Sequence, residues 1–158
     1  MAKPEKTNVM RILDQKKIRY QSYCYAGTAA VSGTEVAEVL GQNPEQVFKT
    51  LVTVSGTGEH YVFVIPVAEE LNLKKAARAV GEKSIAMLKS KELLPLTGYI
   101  HGGCSPIGMK KFFPTVIDET AQLFETIIFS AGKIGYQVEV SPEALAEVIA
   151  VSFADLTG

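Results

Sequence analysis

A chain of 158 residues, 47% apolar and 21% charged, has the composition of one packed globular domain, which excludes a disordered, collagenous or fibrous polymer. A formal net charge of −1 excludes a protein that coats nucleic acid by charge alone, yet it is compatible with a local basic patch for a transient RNA substrate. No apolar run approaches the ~20 residues of a membrane span, the polar start Met1 to Thr7 does not read as an export signal, and Cys24 and Cys104 form no CxxC pair. The expectation is a cytoplasmic domain covering residues 1–158 with both thiols reduced.

Thr7 is placed to cap a helix with apolar positions Val9, Ile12, Leu13 and Ile18. The aromatic run Tyr20 to Tyr25 reads as a strand, Ala26 to Gly33 as a loop, and Thr34 to Leu40 as a helix stopped by Gly41. Val47 to Ser55 and His60 to Val67 read as two strands joined by the turn Gly56-Thr57-Gly58-Glu59, apolar enough on both faces to be central. Leu73 to Val80 is a helix ended by Gly81; Ser84 to Leu88 reads as a short strand and Lys89 to Leu94 as a short helix before Pro95. Thr97 to Pro114 is a long glycine-rich loop, a feature that usually serves function. Strands follow at Thr115 to Ile117, Thr126 to Ser130 and Tyr136 to Val140, then a helix over Pro142 to Ala150 capped by Ser141. The order of elements predicts a single α+β domain, a mixed curved sheet or partial barrel flanked by helices.

The chemistry-bearing candidates are few. No HExxH, CxxC or clustered carboxylates suggest a metal, and neither a Walker loop nor GxSxG is present; no cofactor is expected. Lys49 shares a strand face with Val47 and Leu51, so it either snorkels from an edge or is held in a pocket to bind an anionic or carbonyl group. The segment His101-Gly102-Gly103-Cys104-Ser105-Pro106-Ile107-Gly108 is either a tight structural loop or a backbone cradle for an amino group or an oxyanion. His101 and Cys104 invite a thiol nucleophile with its base, but no third orienting group is evident, and such a cysteine is commonly a small space-filler. Lys110 and Lys111, and Lys74, Lys75 and Arg78 on their helix, are either solvated surface or a phosphate-contacting rim; the position of Lys110 and Lys111 beside the glycine loop favours the rim for that pair.

Taken together, Val47-Phe48-Lys49-Thr50-Leu51, Leu73-Lys74-Lys75-Ala76-Ala77, Thr97-Gly98-Tyr99, Gly102 through Lys111 and Phe113-Pro114-Thr115-Val116-Ile117-Asp118 resemble the YbaK/EbsC family, stand-alone relatives of the editing domain of bacterial prolyl-tRNA synthetase. The resemblance implies a barrel-like α/β fold and a deacylase that clears cysteine from proline tRNA, and also from cysteine tRNA. It places the family's key lysine on Lys49, with Thr50 beside it, a loop carbonyl on Gly102, a pocket tyrosine on Tyr25 and a pocket serine on Ser130. Gly103 and Ser105 of the loop complete the substrate-binding candidates, and Gln137 stands where some members have aspartate. The implied partners are the 3′ end of misacylated tRNA and prolyl-tRNA synthetase. The implied mechanism uses the substrate's own thiol, leaving the protein to position the ester and stabilise charge. Two rival functions are a water-using hydrolase for another misacylated tRNA, such as alanine on proline tRNA, and a catalytically silent regulator that binds tRNA or a synthetase.

Overall fold

The computed structural model describes residues 6–30 and 32–158. The start before Lys6, and Val31 within the expected Ala26 to Gly33 loop, lie outside the described residues.

Thr7 accepts a hydrogen bond from the Met10 N–H and opens α1 (Asn8–Gln15), which buries Val9, Met10 and Leu13. The apolar spacing extends to Ile18, but the helix stops at Gln15 because Lys17 turns into the left-handed region with φ 58°. After β1 (Gln21–Cys24), Ser32 and Glu35 form a capping box that starts α2 (Gly33–Leu40), and Gly41 ends it at φ 68°. Strands β2 (Phe48–Ser55) and β3 (His60–Pro66) form the expected hairpin. Asn72 and Gly81 bound α3 (Leu73–Val80), and β4 (Ile85–Met87) follows.

The next helix, α4 (Ser90–Thr97), runs through Pro95 rather than stopping before it. Proline removes a single N–H donor from the ladder, and the last turn is reinforced by Thr97, whose hydroxyl donates to the Leu93 carbonyl at 2.7 Å. Beyond the irregular 98–114 segment come β5 (Thr115–Asp118), a 3-10 turn over Glu119–Leu123, β6 (Ile127–Ser130), β7 (Tyr136–Val140) and α5 (Pro142–Val148). α5 is shorter than its expected end at Ala150 because the chain turns extended at Ile149 and becomes β8 (Val151–Ala154), a strand the sequence reading did not include.

The strands form two open sheets, β1-β7-β6 and β4-β2-β3-β5-β8. The first is antiparallel; the second is mixed, with β5 parallel to both β3 and β8. A parallel bridge between Val47 and Ile128 joins them, and the Ile128 N–H donates to the Gln46 carbonyl. Alternation along β2 and β3 sends Phe48, Val52, Val62 and Val64 into the core between the sheets, and Phe63 and Ile65 toward α3. This two-sided burial explains why both strands read as apolar on both faces.

Candidate active site

β4 covers only Thr53 to Ser55 of β2, so the other half of β2 is an open edge. The Val67 N–H donates to the Val47 carbonyl and the Ser55 N–H to the Glu59 carbonyl, so odd-numbered residues of β2 point their backbone groups at β3. The Val52 carbonyl instead accepts from the Leu88 N–H on the opposite side. By the two-residue period, the N–H and C=O of Thr50 also point away from β3, at the unpaired edge.

A cleft of about 560 Å³ lies along this edge. Lys49, Thr50, Tyr25, Gly102, Ser130 and Gln137 all line it, together with His101 and Cys104. Five positions singled out from distant parts of the chain, Tyr25, Lys49, Thr50, Gly102 and Ser130, therefore share one wall system. Residues the sequence gave no reason to choose complete it: Ser32, Gly33 and Thr34 at the start of α2, Met87 and Leu88 of the β4 segment, and Ser90 and Leu93 of α4. Gly33 is required by close approach, because a Cβ there would sit 2.5 Å from a Val67 methyl.

The polar groups of the cleft are unevenly satisfied. The Thr50 hydroxyl oxygen is buried and has no hydrogen-bond partner among the described residues. Ser130 accepts from the Gly132 N–H at 3.1 Å. Its neighbour across the ladder, Gln137, is only 5% exposed, and the Gln137 amide oxygen accepts from the Gln42 amide nitrogen at 2.8 Å. The Gln42 oxygen is itself buried and without a partner among the described residues. Turning both amides round would keep their mutual bond but bury unpaired N–H donors in place of a carbonyl oxygen, the costlier defect. Gln137 thus lines the cleft as a neutral amide held by Gln42.

The glycine loop is tied down from behind. Tyr99 donates its hydroxyl to the Ile107 carbonyl, the Ile107 N–H donates to the Ser105 hydroxyl, and the Gly103 N–H donates to the Ile100 carbonyl. Gly103 and Ser105 are buried and do not line the cleft; their hydrogen bonds place them in the support of the loop, behind the residues that face the cleft. Gly102, with φ +89°, does line it. A Cβ at Gly108 would meet the Tyr99 hydroxyl at 2.8 Å, so the same tyrosine fixes where the loop leaves the wall.

Cys104 lines the cleft but is 8% exposed, and burial pushes its thiol up to about 12. It is therefore protonated near neutrality, the wrong state for a nucleophile. Burial, followed by the proximity of Cys104, likewise raises the Tyr99 hydroxyl to about 12. Among the described residues no group of three or more His, Cys, Asp and Glu could hold a metal, and no helix is long and apolar enough to cross a membrane.

Lys110 and Lys111 do not line the cleft. They are exposed beside a second cavity of about 180 Å³, with Phe112 and Phe113. Lys75 is engaged by Asp155 and the Thr157 carbonyl, whereas Lys74 and Arg78 are exposed on α3.

A cleft between two sheets, with one lysine on an open strand edge and a braced glycine loop opposite, accompanies a match over residues 28–148 to the aminoacyl-tRNA editing domain. The chain belongs to that family. A relative from Enterococcus faecalis, provisionally named Cys-tRNA(Pro)/Cys-tRNA(Cys) deacylase EbsC, is 49% identical over 154 residues, covering 97% of this chain and 94% of the relative. A proline–tRNA ligase of Shouchella clausii is 32% identical over 117 residues, 73% of this chain but only 20% of the ligase. The fold matches a crystal structure described as a trans-editing enzyme for prolyl tRNA synthetase, with a TM-score of 0.83 at 24% identity over 100% of this chain and 99% of the other. It also matches hypothetical protein APE2540, with a TM-score of 0.86 at 23% identity over 98% and 100%.

Proposed function

We propose that this protein is a deacylase that releases cysteine wrongly esterified to proline tRNA, and cysteine from its own tRNA, through the substrate's thiol. The observation that carries this reading is a cleft rich in positioning groups whose one cysteine is held as a thiol. In the proposed step the cysteinyl sulfur attacks its own ester carbonyl, the bond to the ribose oxygen breaks, and the thiol proton ends on the released 3′ hydroxyl. The thiolactone then leaves and opens in water. An ester is already activated, so holding the sulfur near the carbonyl supplies much of the acceleration.

Each group has a role in this reading. Lys49 supplies positive charge for the terminal phosphate or the ester region, and the Thr50 N–H on the open edge is a donor for the developing oxyanion. The Gly102 carbonyl holds the α-amino group, Tyr25 and Ser130 bound the acyl group, and the Thr50 hydroxyl has hydrogen-bonding capacity left for substrate. Prolyl-tRNA synthetase is a proposed partner, supported by the likeness to proline–tRNA ligases, and the cytoplasm is the proposed compartment because charged tRNA is found there. We further propose that Lys110 and Lys111 contact the tRNA backbone.

The test is a deacylation panel. Cysteinyl-tRNA(Pro) should lose its amino acid rapidly and yield a trappable thiolactone, whereas alanyl-tRNA(Pro) should persist. Equal turnover of both would favour the water-using hydrolase, and turnover of neither with tight tRNA binding would favour the regulator.

A further inference from the structure

The second cavity holds an exposed aromatic that the cleft does not explain. Phe112 is 66% exposed, follows two exposed lysines directly, and lines the cavity with both of them. Phe112 is the only aromatic among the large apolar side chains exposed in the described residues, and it stands beside two cations. An unpaired nucleic-acid strand offers the complement: a flat base for the ring and phosphates for the lysines.

The spacing to the cleft fits the same partner. Ser90 and Leu93 of α4 line the cleft, and at the other end of that helix the Thr97 carbonyl accepts from the Lys110 N–H at 3.0 Å. The second cavity is thus tied through Lys110 to the C-terminal end of α4, whose first turns line the cleft, and the length of that helix from Ser90 to Thr97, about 10 Å at ~1.5 Å per residue, sets the scale of the separation. A stacked strand advances about 3.4 Å per nucleotide. With the terminal ribose at the cleft, a nucleotide about three steps back along the unpaired 3′ tail reaches the second cavity.

We propose that Phe112, with Lys110 and Lys111, forms a stacking subsite for a base of the unpaired 3′ tail, about three nucleotides from the esterified end. The subsite reads an aromatic face and a phosphate, not base identity. This rests on the deacylase reading for the substrate's orientation, but it is tested by binding alone.

The probe is an uncharged RNA hairpin carrying an unpaired tRNA-like 3′ tail, measured by fluorescence anisotropy at several salt concentrations. Phe112→Ala should weaken binding roughly 5- to 150-fold, the range expected for one lost base–aromatic stack, and Phe112→Tyr should retain it. An abasic nucleotide about three steps from the 3′ end should weaken binding to the native protein to a similar extent and add nothing to Phe112→Ala. Binding unchanged in Phe112→Ala, or losses that add in the combined experiment, overturns the proposal. So does an affinity that depends on Lys89 and Lys91 at the other end of α4 instead. Because uncharged RNA is used, failure here leaves the deacylation panel unaffected, and failure of the panel leaves this binding result standing.

Discussion

Lys49 and Cys104 line the same cleft and make opposite predictions. Lys49→Ala is expected to lower kcat/KM on cysteinyl-tRNA(Pro) by about 100-fold or more, the usual scale for losing a group that stabilises developing charge, without moving the melting temperature. A folded variant with near-native turnover would remove Lys49 from the mechanism. Cys104→Ala should remain active, because the substrate supplies the sulfur; loss of turnover together with a trapped acyl-enzyme in the native protein would reverse the assignment. The same thiol gives a pH signature. Its ordinary value of 9.0 rises to about 12 on folding, so the unfolded chain releases the proton first as pH rises. The stability associated with this group is complete below about pH 9 and falls away as pH climbs toward 12. Tyr99 and Tyr23 titrate in the same direction, Tyr23 chiefly through its hydrogen bond to Glu139. Urea titrations across that range should show an alkaline loss of stability that Cys104→Ala reduces but does not abolish.

At the scale of elements, the cleft depends on where helices begin. α2 starts beside it, with the Ser32 side chain accepting from the Glu35 N–H at 3.2 Å and Glu35 returning the bond to the Ser32 N–H at 3.1 Å. Ser32→Ala should cost about 1 kcal/mol, as loss of such a cap does, and should raise KM because Ser32, Gly33 and Thr34 form part of the wall. Chemical denaturation alongside steady-state kinetics checks both; an unchanged KM would detach α2 from substrate binding. This boundary was only partly legible in the sequence. Ser32 and Thr34 are both good caps, and the choice fell to Ser32 because only from there does Glu35 sit at the reciprocal position. The sequence ends this helix at Leu94, before Pro95, for a sound local reason, yet the structure carries it to Thr97, where the Thr97 hydroxyl and the Gly98 N–H donate to the Leu93 and Leu94 carbonyls.

Across the whole molecule, the site lies where the two sheets diverge from the Val47–Ile128 bridge, so the seam and the cleft are mechanically one. Gln46 stitches that seam by donating to the Thr126 carbonyl at 2.9 Å and to its hydroxyl at 3.0 Å. Gln46→Ala should destabilise the fold by about 1–2 kcal/mol and lower kcat as well, because Lys49 and Ser130 stand on opposite sides of the joint. A destabilised variant with native kcat would show that the seam does not position the site. The charge of the whole chain is close to neutral, so tRNA contact must be local. Changing Lys110 and Lys111 together to alanine should raise KM and flatten the salt dependence, by about 0.7 in the log–log slope for each lost single-strand contact, with little change in kcat at saturation.

The sequence by itself determined the N-cap of α1, the glycine stop of α3, the β2–β3 hairpin, the irregular loop and, through ordered family motifs, Tyr25, Lys49, Thr50, Gly102 and Ser130 among the residues that line the cleft. These depend on neighbours in the chain or on patterns carried within it. Only the tertiary structure decided that β4 leaves half of β2 open, that Gln42 reaches Gln137 across 95 residues, that Gly103 and Ser105 brace the loop from behind, and that Phe112 stands in water at the far end of α4. Each of these follows from which surfaces the packed sheets cover and which they leave bare, a property of pairing between distant segments that no local window contains.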